Sequence, residues 1–234
     1  MDPMAAIPQP KLFTHLSNKF IFEELEQINS DTGRTYKTPS GVIYPSITTV
    51  IGDESKVSIA AWRKRVGDEE VNRISKKATS RGTRIHEMCE HYVDNIPLIK
   101  KDYVYQDLEM FNQIKRVLDE HVDNIHMQEE RLYSDYLELA GTVDLIAEYD
   151  GKLSVIDFKT STKLKEVDYI KGYLMQASAY AIMYEERTGT PISQTVIIIG
   201  VDDEMYPQVF IQKRDAYVPQ LLETRKRYKE KYEI

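Results

Sequence analysis

Residues 141–163 read GTVDLIAEYDGKLSVIDFKTSTK. Two apolar-rich runs flank Asp150-Gly151, a dipeptide that favours a two-residue hairpin because both of its positions accept positive φ. That turn makes the strands expected at 140–149 and 152–158 antiparallel and sets Asp144 opposite Asp157. Lys159, two residues past Asp157, shares its face of the strand. Three charged groups then converge at one sheet edge. Asp157 emerges from Leu153, Val155 and Ile156, where a bare carboxylate is costly unless it binds a cation.

Working outward, residues 127–137 read as a preceding strand. A helix is expected at about 168–188, with Leu174, Ala177, Ala181 and Tyr184 along one side, closed by Gly189 and Pro191. Thr195 to Val201 is almost wholly apolar, the mark of a buried strand. Met205 to Gln212 follows as a last strand and 214–232 as a final helix. Upstream, Leu108, Phe111, Ile114, Val117, Leu118 and Val122 form the stripe of a helix over 105–124. Residues 55–66 and 68–94 carry helical spacing, with Gly67 and Gly82 as breaks. Pro45-Ser46 offers a helix start and Gly52 a stop. Phe20 to Tyr44 reads as strand and hairpin, turning at Ser30-Asp31-Thr32-Gly33, after a loose arm over 1–20.

The order helix, three strands, helix, strand, strand, helix specifies an α/β fold, a mixed sheet flanked by helices. Its 234 residues suit a single domain. We divide it into an N-terminal arm and hairpin (1–44), a helical region (45–125), a catalytic α/β core (126–213) and a C-terminal helix (214–234).

Composition removes several classes of function. No run approaches the roughly 18 apolar residues of a spanning helix, so no membrane partner is expected. The N-terminus lacks a basic-then-apolar leader. The single cysteine, Cys89, forms no internal disulfide and suits a reducing compartment. One thiol also excludes a four-cysteine zinc site or an iron–sulfur cluster held by this chain alone. We expect the cytoplasm of a bacterial or phage-infected cell, ahead of the mitochondrial matrix. The net charge of −7 argues against nucleic acid, yet its distribution argues for it. From Lys56 to Arg84 nine basic residues, among them Arg63, Lys64, Arg65, Arg81 and Arg84, face only Asp68, Glu69 and Glu70, a net +6. Such a patch sets a local potential suited to phosphates.

Phosphodiester hydrolysis needs a nucleophile at neutral pH and neutralisation of charge on the attacked phosphate. Two carboxylates and a main-chain carbonyl offer hard oxygen ligands for Mg²⁺ or Mn²⁺. Lys159 would orient or deprotonate water, with a pKa that could fall beside a metal and a buried wall. Further along, RGTRIHEMCEHYV (81–93) places His86 and Glu90 on one helix face. It is not the zinc-protease HExxH, because Glu90 stands where the second histidine is required. Gln176 and Tyr180 share a face of the 168–188 helix in the same way.

Taken in order, Gly82 to His86 (GxxxH), Glu129 on a strand, Gly141 to Asp144 (GxxD), Asp157 to Lys159 (DxK) and Gln176 to Tyr180 (QxxxY) resemble the RecB-like branch of the PD-(D/E)xK nucleases. YPSITTVIG (44–52) and AAWRKR (60–65) look like the genome-maintenance exonucleases of mitochondria and their phage relatives. The resemblance covers roughly residues 39–200. It implies a restriction-endonuclease-like core with one or two Mg²⁺ or Mn²⁺ ions. Asp144 and Asp157 would hold the metal, with the carbonyl of Phe158 as a further ligand, and His86 would add a ligand or position a second metal. Lys159 would be the catalytic lysine, and Glu129 would order water or metal, strand register deciding between it and Glu130. Gln176 and Tyr180 would contact the DNA strand near the scissile phosphate. Val143 replaces the nominal proline, and the four cysteines of the iron–sulfur relatives are absent.

The function expected is a metal-dependent DNA exonuclease preferring single-stranded DNA with a free end. Its basic helices would arch over the cleft, and Trp62 or Tyr180 would stack on a base. Two alternatives are an endonuclease on the same core and a non-catalytic DNA-binding protein on a dead core. Intact Asp144, Asp157 and Lys159 weigh against the second.

Overall fold

A computed structural model describes residues 4–16 and 24–233. Phe20–Glu23, expected to open the first strand, lie outside the described residues. A small antiparallel sheet comes first, formed by β1 (Glu26–Ser30), β2 (Gly33–Lys37) and β3 (Ile43–Pro45). Two long helices follow, α1 (Ile47–Val66) and α2 (Asp68–Val93), and then α3 (Tyr105–His121). The remaining chain is β4 (Val122–Ser134), β5 (Leu139–Tyr149), β6 (Lys152–Ser161), α4 (Lys171–Thr188), β7 (Gln194–Val201), β8 (Gln208–Lys213) and α5 (Val218–Tyr232).

The main sheet has the order β4-β5-β6-β7-β8. Every pair is antiparallel except β6 and β7, which run parallel because α4 carries the chain across between them. This is the mixed sheet with flanking helices expected from the element order. Strand alternation sorts its side chains into two cores. On one face, Val155, Ile197 and Ile199 pack with Leu174, Ala177 and Ala181 of α4, Leu221 of α5, and Ile47 and Val50 of α1. On the other, Ile156, Phe158, Val196 and Ile198 pack with Phe111 and Ile114 of α3 and Ile85, Met88 and Cys89 of α2.

α1 therefore starts on one face of the sheet and α2 ends on the other. Between Glu54 and Ser80 the chain is exposed save for Trp62, Arg63, Glu70 and the buried Val71. α5 braces the base of α1, where Asp53 accepts from Lys231 at 2.7 Å and Tyr232 at 2.6 Å.

Several boundaries differ from the sequence reading. α1 runs through Gly52, and α2 runs through Gly82, with open space where a Cβ would lie at either glycine. Only Gly67, at φ 95°, breaks the helical run. α3 ends at His121 because β4 begins at Val122, five residues before the expected strand. The arm is not loose where it is described. Ile7 and Phe13 are buried in the second core, and the Leu16 N–H donates to the Ile125 carbonyl at 2.8 Å. Single apolar residues between prolines show no period, so this strap was invisible to pattern. No described helix is long and apolar enough to cross a membrane.

Candidate active site

Asp150 and Gly151 take φ of 50° and 73°, and the hairpin they close pairs Tyr149 with Lys152. The ladder then runs to Leu145 opposite Ile156 and stops there, whereas β6 stays paired with β7 as far as Ser161. β5 and β6 thus separate just before Asp144 and Asp157. In the gap, an Asp144 oxygen accepts the Phe158 N–H at 2.9 Å, a backbone donor the ladder no longer uses.

Asp157 is 1% exposed. Its Oδ1 accepts from Gln176 at 3.1 Å, and its Oδ2 lies 2.5 Å from Lys159 Nζ. That close ion contact lacks hydrogen-bond alignment, so Oδ2 remains a buried acceptor without a hydrogen-bond donor. Burial pushes the Asp157 carboxyl upward, with Lys159 opposing and Asp144 adding to the rise. Burial alone would lower the Lys159 ammonium, but the charges of Asp157 and Asp144 outweigh it and hold the pKa above its ordinary value. That rise belongs to the metal-free site, whereas the fall expected from the sequence was for a lysine beside a bound metal. Lys159 is a held cation, 5.2 Å from the Tyr173 ring centroid.

α2 brings His86 to the same gap from the other face, with Nδ1 3.4 Å from Asp144. β4 brings Glu129, which has φ 49° and falls level with Asp144 between the pairs Gln128–Leu145 and Glu130–Val143. Ligand atoms of His86, Glu129 and Asp144 all lie within 4.8 Å of one another. Register thus selects Glu129 over Glu130. Glu129 is exposed at the rim of the site, yet the protein packed around it first, and then the negative charges of Asp144, Glu90 and Asp157, push its carboxyl upward, to about 8. Crowded carboxylates of this kind suit a divalent cation, which would offset their mutual repulsion. Cys89 adds no ligand; it is fully buried, and burial raises its thiol.

Gln176 and Tyr180 lie beneath the carboxylates. Gln176 donates to Asp157 and, at 3.5 Å, to the Tyr180 hydroxyl. Tyr180 is buried, so its ring has no open face for a base. It fills the space above Gly141, where a Cβ would come within 2.8 Å of its ring and hydroxyl. The GxxD glycine is thereby linked to the QxxxY tyrosine by packing.

His86, Glu129, Asp144, Lys159, Gln176 and Tyr180 line one cavity of about 320 Å³. Its other wall is made by residues that the sequence reading did not select, Arg34 and Tyr36 of β2, Ser46 and Thr48 at the start of α1, and Thr142 of β5. The signal available was local only: Arg34 and Tyr36 share a face of a short strand, and Ser46 is the N-cap of α1, accepting the Thr49 N–H at 3.0 Å.

The basic residues divide. Lys64 and Arg65 are exposed and make no ion pair among the described residues, and Arg63 reaches only the exposed Asp68. Arg81 donates to both oxygens of Asp202 at 2.7 Å, and Arg84 grips Asp107 at 2.5 and 3.2 Å. Those two arginines line a second cavity of about 1080 Å³, between α2, α3 and the β7–β8 turn, rather than the cavity of the carboxylates. Trp62 is half-buried.

The family model of the PD-(D/E)XK nuclease superfamily matches residues 100–233. Among curated proteins, mitochondrial genome maintenance exonuclease 1 of Homo sapiens is 26% identical over 132 residues, 53% of this chain and 38% of that protein. Its Xenopus tropicalis counterpart is 24% identical over 172 residues, covering 68% and 49%. The Mus musculus protein is 24% identical over 129 residues, covering 52% and 38%. The chain spans less than half the length of each of these relatives. The family match covers more than half of the chain and includes the diverging strands that carry Asp144, Asp157 and Lys159, and on that ground this chain belongs to the PD-(D/E)XK nuclease superfamily.

Proposed function

We propose that the protein is a metal-dependent DNA exonuclease acting on single-stranded DNA with a free end, in DNA replication, recombination or repair. The observation that carries this reading is the gathering of His86, Glu129, Asp144, Asp157 and Lys159 where β5 and β6 diverge. His86, Glu129 and Asp144 would hold a cation, with Asp157 and the Phe158 carbonyl as further oxygen donors. A bound Mg²⁺ or Mn²⁺ supplies a nucleophile at neutral pH and offsets charge on the attacked phosphate. Lys159, kept protonated by Asp157, orients water or the phosphate by donation. Gln176 and Tyr180 act as positioning residues, since Gln176 holds Asp157 and Tyr180 supports Gln176.

Topology supports a free-end requirement. Thr48 of α1 and His86 of α2 line one cavity, so the exposed stretch between them leaves the rim of the site and comes back to it. A strand passing beneath such an arch is threaded from an end, with Arg63, Lys64 and Arg65 available to its phosphates. An endonuclease on the same core is the competing reading. The direct test is digestion of end-labelled single- and double-stranded DNA, with chelator, Mg²⁺ or Mn²⁺, by the parent and by Lys159→Ala. The parent is expected to shorten the single strand only with metal, and the variant to lose about two orders of magnitude or more in rate, roughly what loss of one preorganised donor to developing charge costs. Undiminished turnover by Lys159→Ala would remove this site from the reaction.

A further inference from the structure

We propose that Arg34 is a substrate-binding residue that grips a backbone phosphate of the DNA strand lying in the active-site cavity. The inference rests on the reading of that cavity as a DNA-cleaving centre and adds a contact that neither the sequence motifs nor the core fold assigns.

Three observations carry it. First, Arg34 lines the cavity together with His86, Glu129, Asp144 and Lys159. Of the cationic side chains there, Lys159 is committed to Asp157 and His86 faces Asp144. The guanidinium of Arg34 makes no hydrogen bond and no ion pair among the described residues. By contrast Arg73, Arg81, Arg84, Arg187, Arg214 and Arg227 are each tied to a carboxylate. An arginine present to balance the cluster of acids would be expected to close on one of them. This one keeps its planar fork of donors free, and that fork matches two oxygens of a phosphate.

Second, the Arg34 backbone is fixed. Its N–H donates to the Thr49 hydroxyl at 3.0 Å, and its carbonyl accepts from the Ser46 N–H at 2.9 Å and the Thr49 hydroxyl at 3.1 Å. The close approach of β2 to α1 requires the preceding glycine. Gly33 has φ 135°, and a Cβ there would lie 2.4 Å from Thr49 Cγ2. Third, the sheet carrying Arg34 is locked to the catalytic strand. Tyr36 is buried, and its hydroxyl lies 3.2 Å from that of Thr142, two residues before Asp144. The fixed backbone keeps this free guanidinium within reach of the cavity, and the strand entering it brings one phosphate per nucleotide.

The test uses the 234-residue chain and single-stranded oligonucleotides in which one phosphate at a time, near the end being cut, is replaced by a neutral methylphosphonate. Binding is followed by anisotropy with Ca²⁺, and cleavage with Mn²⁺. Arg34→Ala is expected to weaken binding by about tenfold or more, the scale of one lost charged hydrogen-bond pair. Its salt slope should fall by roughly 0.7, the value for one phosphate contact on a single strand. Arg34→Lys should recover some of both. In the parent, one methylphosphonate position should weaken binding, and in Arg34→Ala that same position should cost nothing more while other positions keep their effects. An unchanged salt slope, or a methylphosphonate profile identical in parent and variant, overturns the proposal. So does loss of fold in Arg34→Ala or Arg34→Gln, because an unpartnered exposed side chain should be removable. A parent that neither binds nor cuts DNA defeats the nuclease reading itself, an outcome distinct from a parent that cuts normally and is indifferent to position 34.

Discussion

Lys159 shows what residue chemistry discloses and what it withholds. Its spacing after Asp157 was enough to place both groups on one strand face, because strand period is a local property. The direction of its pKa in the metal-free site was not legible, because the charges of Asp157 and then of Asp144, arriving from the neighbouring strand, together outweigh burial. Glu129 shows the same limit, since only the register of β4 against β5 separates it from Glu130. Its raised pKa has a consequence for stability. The carboxyl ionises near 4.5 in an unfolded chain and near 8 in the folded, metal-free protein. Between those values the folded state holds the extra proton, so this group makes stability fall as pH rises through the window. In chelator, thermal melting at pH 5.5, 7 and 8.5 is expected to show the parent losing stability relative to Glu129→Gln as pH rises. Mn²⁺ should reduce that loss by compensating the carboxylates. A parent that gains on Glu129→Gln between pH 5.5 and 8.5 would contradict the crowding of acids on which the metal site rests.

Among the elements, those with a strong local signal were the ones read correctly. The Asp150-Gly151 hairpin, the apolar run of β7 and the stripe of α3 as far as Leu118 lie where pattern placed them, because turn chemistry and period determine them directly. The glycines were harder, since a glycine can break a helix, make room for a neighbour or do neither. Gly141 and Gly82 separate these roles. A methyl group at 141 meets Tyr180 at 2.8 Å inside a closed core, whereas one at 82 meets nothing within 4 Å. Gly141→Ala is therefore expected to cost about 1–3 kcal/mol through overpacking. It should also depress cleavage, because Tyr180 and Gln176 support Asp157. Gly82→Ala should gain about 0.5–1 kcal/mol from helix propensity alone. Urea unfolding of the two variants separates them, and equal shifts of one sign would refute the packing account of the motif.

Across the whole molecule, the α/β core was legible because its elements follow one another at short range. The far wall of the active site was not, because it depends on a tertiary contact. β1 to β3 reach β5 through the Tyr36–Thr142 contact and through packing of Leu25 and Tyr36 on Ala140, and nothing in the spacing of GRTYK announces that meeting. The arch was half legible. Its positive charge could be counted, but two of its arginines, Arg81 and Arg84, are occupied by Asp202 and Asp107 on another side of α2. The proposed arch rests on the path of the chain, which leaves the cavity at Thr48 and comes back to it at His86. The measurement that tests this most directly compares a linear single strand with the same sequence closed into a circle, both incubated with the parent and Mn²⁺. The linear strand should be degraded from an end while the circle persists, until a single nick makes it a substrate. Cutting of the intact circle at a rate comparable to the linear strand would contradict threading and make the protein an endonuclease.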